Sequence, residues 1–167
     1  MDSKLEHPAA TSSRQLLRHT VATLAYRANK VTRGAPPNFA DYRACDSARA
    51  AGQILAHLAD LLDWAVSQAR GKQDWRDSAP LAWDEGTKRF FTALRVFDEY
   101  LASDQQLSCP PEKLFQGAIA DSFTHVGQLA MLRRLAGAPI RGENYAQADI
   151  VVGRVTAQQT PPRREFD

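Results

Sequence analysis

Apolar residues recur along this chain at three- and four-residue intervals, in stretches separated by short runs of proline, glycine and polar residues. In RQLLRHTVATLAYRANKVT, residues 14–32, Leu17, Val21, Leu24, Ala28 and Val31 fall on one helical face. Ser12 or Ser13 is suited to cap that helix, and Gly34 with Pro36 and Pro37 ends it. The second stretch, SARAAGQILAHLADLLDWAVSQAR, has one stripe of Ala50, Ile54, His57, Leu61 and Trp64. A parallel stripe of Ala51, Leu55, Leu58 and Leu62 widens the face, Asp46 or Ser47 is placed to cap it, and Gly71 to stop it. The third, DEGTKRFFTALRVFDEYLAS, presents Phe90, Leu94, Phe97 and Leu101. The fourth runs from about Pro111, a tolerated first-turn proline, to Gly137. Four amphipathic helices without a convincing strand predict an all-α fold, a four-helix bundle over residues 13–155. Residues 1–12 read as a flexible leader, 138–155 as an extended tail packed on the bundle, and 156–167 as a flexible tail. Residues 72–82 read as a polar loop edged by Trp75 and Trp83.

Composition adds a few constraints. The 167 residues are 44% hydrophobic, enough for one domain with one core. The net charge of +2 comes without a dense basic run, which argues against a nucleic-acid partner. Arg133-Arg134 and Arg163-Arg164 read as solvated surface. Cys45 and Cys109 stand far apart with no CxxC partner, so a reducing compartment is expected rather than a disulfide. No apolar run approaches a membrane span, and MDSKLEHPAATSS has no apolar signal core. The expectation is a cytoplasmic protein with no membrane partner.

Chemistry enters at the fourth helix. Its heptad row reads Leu114, Ala118, Asp121, His125, Gln128, Leu132, Leu135, apolar at both ends and polar in the middle. Asp121 and His125, four apart, share a face, and two ligands at that spacing can hold one metal ion. His57, on the core stripe of the second helix, is the natural third ligand. One divalent cation held by His57, Asp121 and His125 would satisfy three polar groups that are costly to bury unpartnered. Two imidazoles and a carboxylate leave coordination positions open, as in catalytic zinc and non-haem iron(II) sites, with nickel and manganese also admissible. The competing account is a buried Asp–His–Gln hydrogen-bond network that ties two helices together. Gln128 is placed to orient a ligand or to bond the tail, and Gly127 to let another helix approach. His19 lies at the boundary of the first helix's apolar face. Asp60, one turn from His57, would be a general base only if it faced the site, and a solvated position is the preferred reading.

ILAHLADLLDWA (54–65), followed by DSFTHVGQLAMLRRLAG (121–137), resembles the DinB-like superfamily, named for damage-inducible proteins. The most specific piece is His-x-Gly-Gln-Leu, His125 to Leu129, paired with a histidine in the middle of helix two. The resemblance spans roughly residues 13–155. It implies a four-helix bundle, a metal on His57 and His125, a homodimer, and a relation to metal-dependent transferases that use low-molecular-weight thiols. The family's third histidine falls at Asp121, a departure that lowers the charge of the site by one unit. In Arg141-Gly-Glu-Asn-Tyr145, Asn144 or Tyr145 is expected to edge the pocket. Two functions follow as expectations. One is a metal-dependent transferase or hydrolase of a small molecule, with a thiol cosubstrate. The other is a non-catalytic ligand-binding or structural module.

Overall fold

A computed structural model describes residues 8–167, with side chains described from residue 12. The structure is mostly helical. Helix α1 spans Pro8–Thr32, α2 Ala51–Ala69 and α3 Trp83–Ala102. The fourth rod is composite: a short α4, Pro111–Leu114, passes through a π turn, Phe115–Ile119, into α5, Ala120–Leu135. A two-residue strand β1, Gly142–Glu143, pairs antiparallel with β2, Glu165–Phe166. The leader expected over 1–12 is shorter than that, because α1 begins at Pro8 and takes Ser12 and Ser13 into its body; residues 1–7 lie outside the described residues.

Helix α1 packs on α3 and α5, and α2 packs on the same two, so α1 and α2 sit across a diagonal. The core between them is built by the predicted stripes. Val21, Leu24, Leu55, Leu58, Leu62, Phe90, Leu94 and Phe97 are all fully buried. Each removes large apolar area from water, which is worth about 1.5–3 kcal/mol per side chain. Helix α2 starts later than expected, at Ala51. Residues 42–50 are used to reach it, with Ala51 N–H donating to Tyr42 O, and Gln53 Oε1 accepting from Ala50 N–H at 2.8 Å in place of an Asp46 or Ser47 cap. Gly52 is required there, since a Cβ would sit 3.0 Å from Ala40 O.

The π turn changes the reading of the fourth rod. It widens one turn of the rod just before Asp121. Leu114 and Ala118 are buried as expected, and beyond the turn the buried face takes in Ser122, His125, Val126, Leu129, Leu132 and Arg133. Leu135, predicted to be core, is exposed. His125 stays buried on that face, while Asp121 is half-buried and Gln128 exposed at its flank.

The tail is more ordered than its composition suggested. Glu165 and Phe166 pair with Gly142 and Glu143, and Glu165 Oε1 lies 2.9 Å from the Lys30 ammonium. The flexible-tail reading of 156–167 rests on composition, which carries no sign of these contacts, because they come from Arg141, Gly142 and Glu143 across an intervening loop and from Lys30 on α1. Arg133 also departs from expectation. It is buried, not solvated, and donates to Val31 O, Arg33 O and Ala138 O. No helix of the described residues is long and apolar enough to cross a membrane. Cys45 and Cys109 are free thiols.

Candidate metal centre

The three residues singled out in the sequence come together. His57 from α2 and Asp121 and His125 from α5 each offer one ligand atom, and these atoms lie within 4.8 Å of one another. Asp121 stands between the imidazoles. Its Oδ2 is 3.6 Å from His57 Nε2 and its Oδ1 is 3.5 Å from His125 Nε2. The two rings meet edge to face, 4.6 Å between centroids. These N···O separations exceed the ~2.7–3.2 Å of a good hydrogen bond. They approach the ~3.4 Å edge of a tetrahedron drawn around an ion with ~2.1 Å ligand bonds.

The tautomer of His125 is fixed by its neighbour. Gln128 Oε1 lies 2.8 Å from His125 Nδ1. A carbonyl oxygen only accepts, so Nδ1 carries the proton and the neutral ring presents a lone pair at Nε2. That lone pair faces a carboxylate oxygen, an arrangement that a cation between them makes favourable. Gln128 therefore does what ligand-orienting partners do in histidine metal sites. His57 favours its neutral form. Burial pushes its pKa below the ordinary value, and neighbouring His125 and Arg49 push the same way, partly opposed by Asp121. Neutral imidazoles are the form that ligates.

The cluster is half open. The His57 and His125 side chains are 17% and 11% exposed, whereas Asp121 is 46% exposed. The rationale of a carboxylate buried without partners therefore does not apply to Asp121, which lies at the rim. On the other side the site is edged by aromatic rings, of which Trp75 is itself 47% exposed. Trp75 packs edge-on to His57 at 5.5 Å and to Trp64 at 6.0 Å. Trp75 lies in the loop between α2 and α3, and sequence periodicity gives a lone loop tryptophan no address.

What holds that loop is Asp60, whose solvated reading was wrong. Its side chain is 1% exposed, pairs with Arg89, and accepts from Ser78 N–H and Ser78 Oγ, both at 2.8 Å. Burial alone would raise its pKa, but the bonds from Ser78 and Arg89 outweigh it and hold the carboxylate below its usual range. Asp60 is committed to the loop and is not a general base for the cluster.

The remaining candidates fall elsewhere. His19 is exposed and stands outside the cluster. Gly127 is exposed with open space around it and admits no neighbouring helix. Asn144 accepts from Ala146 N–H, and Tyr145 packs edge-on to Tyr26 with the Arg27 guanidinium 4.3 Å above its ring. Both contacts belong to the tail and its seat on α1, and the ring that edges the cluster is Trp75. Against known proteins, the chain matches no family model, no curated protein and no solved structure.

Proposed function

We propose that this chain is a DinB-like four-helix bundle that binds one divalent metal ion through His57, Asp121 and His125, and that it acts on a small molecule at the open side of that ion. The observation that carries the reading is the convergence of three ligand atoms from two helices, with His125 locked in the ligating tautomer by Gln128. A two-nitrogen, one-oxygen donor set suits zinc, iron(II), nickel or manganese. Such an ion, when bound, acts as a Lewis acid and lowers the pKa of water or of a thiol. Thiol-dependent transfer and hydrolysis are therefore the two reaction classes proposed.

The residues of the chain supply the rest. His57 and His125 bring neutral nitrogens from a partly buried setting. Trp75 and Trp64 give an apolar edge that offers a surface to an apolar substrate group. The exposed edge of Asp121 leaves the other side free for entry.

Elemental analysis of the purified, tag-free protein tests this, with wild type beside His57→Ala. Near-stoichiometric metal in wild type, lost in the variant, is expected. No metal in either protein after addition of zinc, nickel, manganese or anaerobic iron(II) would make the cluster a structural hydrogen-bond network. Metal-loaded wild type that turns over neither thiol conjugations nor esters and amides would leave metal binding standing and remove the catalytic assignment.

A further inference from the structure

A second polar cleft lies between the C-terminal ends of α1 and α5 and the returning tail. It has a volume of about 480 Å³ and is lined by Lys30, Arg33, Gly34, Arg133, Arg141 and Glu165. Arg133 stands eight residues beyond His125 on α5, about 12 Å along the helix axis, so this cleft is separate from the metal cluster.

The charges in the cleft are unequally met. Lys30 holds Glu143 and Glu165 at 2.8 and 2.9 Å, and Arg141 holds Glu165 and Asp167 at 3.6 and 3.1 Å. Arg33 and Arg133 have no carboxylate within ion-pair distance among the described residues. Arg133 is the more telling of the two. It is only 6% exposed, and its Nε and Nη1 are spent on backbone carbonyls. Its Nη2 has no acceptor among the described residues, yet the side chain lines the cleft. The guanidinium lies 5.9 Å from the Phe39 ring centroid, and its remaining edge meets no carboxylate, so an anion in the cleft would find a largely desolvated, unneutralised donor. Arg133 also fixes its neighbour: its Nη1 donates to Arg33 O at 3.0 Å, just before the Gly34 turn, where φ is +59°. Arg33 and Arg133 thus both line one cavity, with Arg133 bonded to the backbone that carries Arg33. Planar forks of this kind recognise phosphate oxygens by paired, charge-assisted bonds.

We propose that this cleft binds a small phosphate-class dianion, inorganic phosphate or the phosphate group of a soluble monoester, between Arg133 and Arg33. Arg133 supplies the desolvated contact and Arg33 the second charge from the solvent side. Glu165, which also lines the cleft, is paired with Lys30 and Arg141.

Calorimetric titration with inorganic phosphate tests this, with ionic strength held constant by potassium chloride. Wild type is compared with Arg33→Gln, Arg133→Lys, His57→Ala and, as a distant exposed control, Lys88→Gln. Saturable binding is expected in wild type, His57→Ala and Lys88→Gln, weakened about tenfold or more in Arg33→Gln and Arg133→Lys. Arg133 also caps two helix ends, so its variant is checked for folding by circular dichroism. If it does not fold, exposed Arg33 carries the test alone. Three results would overturn the proposal. The first is no saturable binding up to about 10 mM phosphate. The second is equal affinity in Arg33→Gln and Lys88→Gln. The third is loss of binding in His57→Ala, which would assign the phosphate to the metal cluster. Vesicles of phosphatidylcholine with and without phosphatidic acid separate the sources. Co-sedimentation that depends on phosphatidic acid and on Arg33 would overturn the soluble-ligand assignment.

Discussion

At the scale of single residues, the cluster is organised by Gln128, an exposed side chain on no core face. By accepting from His125 Nδ1–H it decides which nitrogen is offered to a metal. Gln128→Ala is expected to leave folding unchanged and to weaken metal affinity by about tenfold to a hundredfold, the usual effect of removing a ligand's orienting partner. A competition titration against a chromophoric chelator measures it; unchanged affinity would mean that the hydrogen bond is incidental. The same titration against pH carries a sign. Ligating histidines must be neutral, so uptake falls as pH drops. Burial already holds His57 below the ordinary 6.5, so its protonation opposes binding only at a lower pH than that. The spacing of Asp121, His125 and His57 was legible in the sequence because the π turn ends at Ile119, so Asp121 and His125 fall together in the regular α5, as His57 does in α2. The role of Asp60 was not. One aspartate among leucines reads as a solvated position unless its partner is known, and Arg89 and Ser78 lie 29 and 18 residues away.

At the scale of elements, the same contrast recurs. Helices α2 and α3 follow their stripes, since Leu55, Leu58, Leu62, Phe90 and Phe97 all face one core. The π turn left no mark in the apolar pattern, because Leu114 and Ala118 satisfy the regular row on either side of its start. Just beyond it Asp121 and Gln128 lie at the rim of the core rather than within it. The loop between α2 and α3 is the second such element, pinned by Asp60 and carrying Trp75 onto His57. Asp60→Ala leaves Arg89 without its buried partner and both Ser78 donors without an acceptor. A loss of about 3–5 kcal/mol in urea unfolding is expected, since one member of a buried pair is removed. Amide exchange over 72–82 should rise in the same variant. A loop that stays protected would show that Asp60 does not hold it. The carboxylate's lowered pKa gives the sign of the acid limb. Its stabilisation is present above the ordinary 3.8 and is lost as pH falls through the depressed folded value.

At the scale of the whole molecule, the tail is held to α1 by a buried polar network rather than by apolar area. Tyr26 Oη donates to Glu143 Oε1 at 2.6 Å, and Lys30 Nζ to Glu143 Oε2 at 2.8 Å and Glu165 Oε1 at 2.9 Å. Tyr26, Lys30 and Glu143 are each buried, and this network also forms one side of the cleft that contains Arg133. Burial works against the Lys30 charge, but the bonds to Glu143 and Glu165 outweigh it and raise its pKa. Burial and the bond to Glu143 raise Tyr26 as well. Both shifts have the same sign in folding. In the unfolded chain Tyr26 and Lys30 lose protons near their ordinary 10.0 and 10.5, while the folded chain keeps them. Their stabilisation is complete below about pH 10 and is lost as pH rises through the folded values. Alkaline unfolding should therefore be steep in wild type and shallower in Tyr26→Phe, which removes one of the two titrations. At neutral pH, Glu143→Ala should cost about 3–5 kcal/mol, because it strips a buried ammonium of one of its two carboxylates. Lys30→Met combined with Glu143→Leu should cost much less, since no buried charge is then left unpaired within the core of the network. A double variant as damaging as Glu143→Ala would mean that the tail is seated by its backbone pairing, Gly142 with Phe166 and Glu143 with Glu165, and that the ion pairs merely decorate that seat.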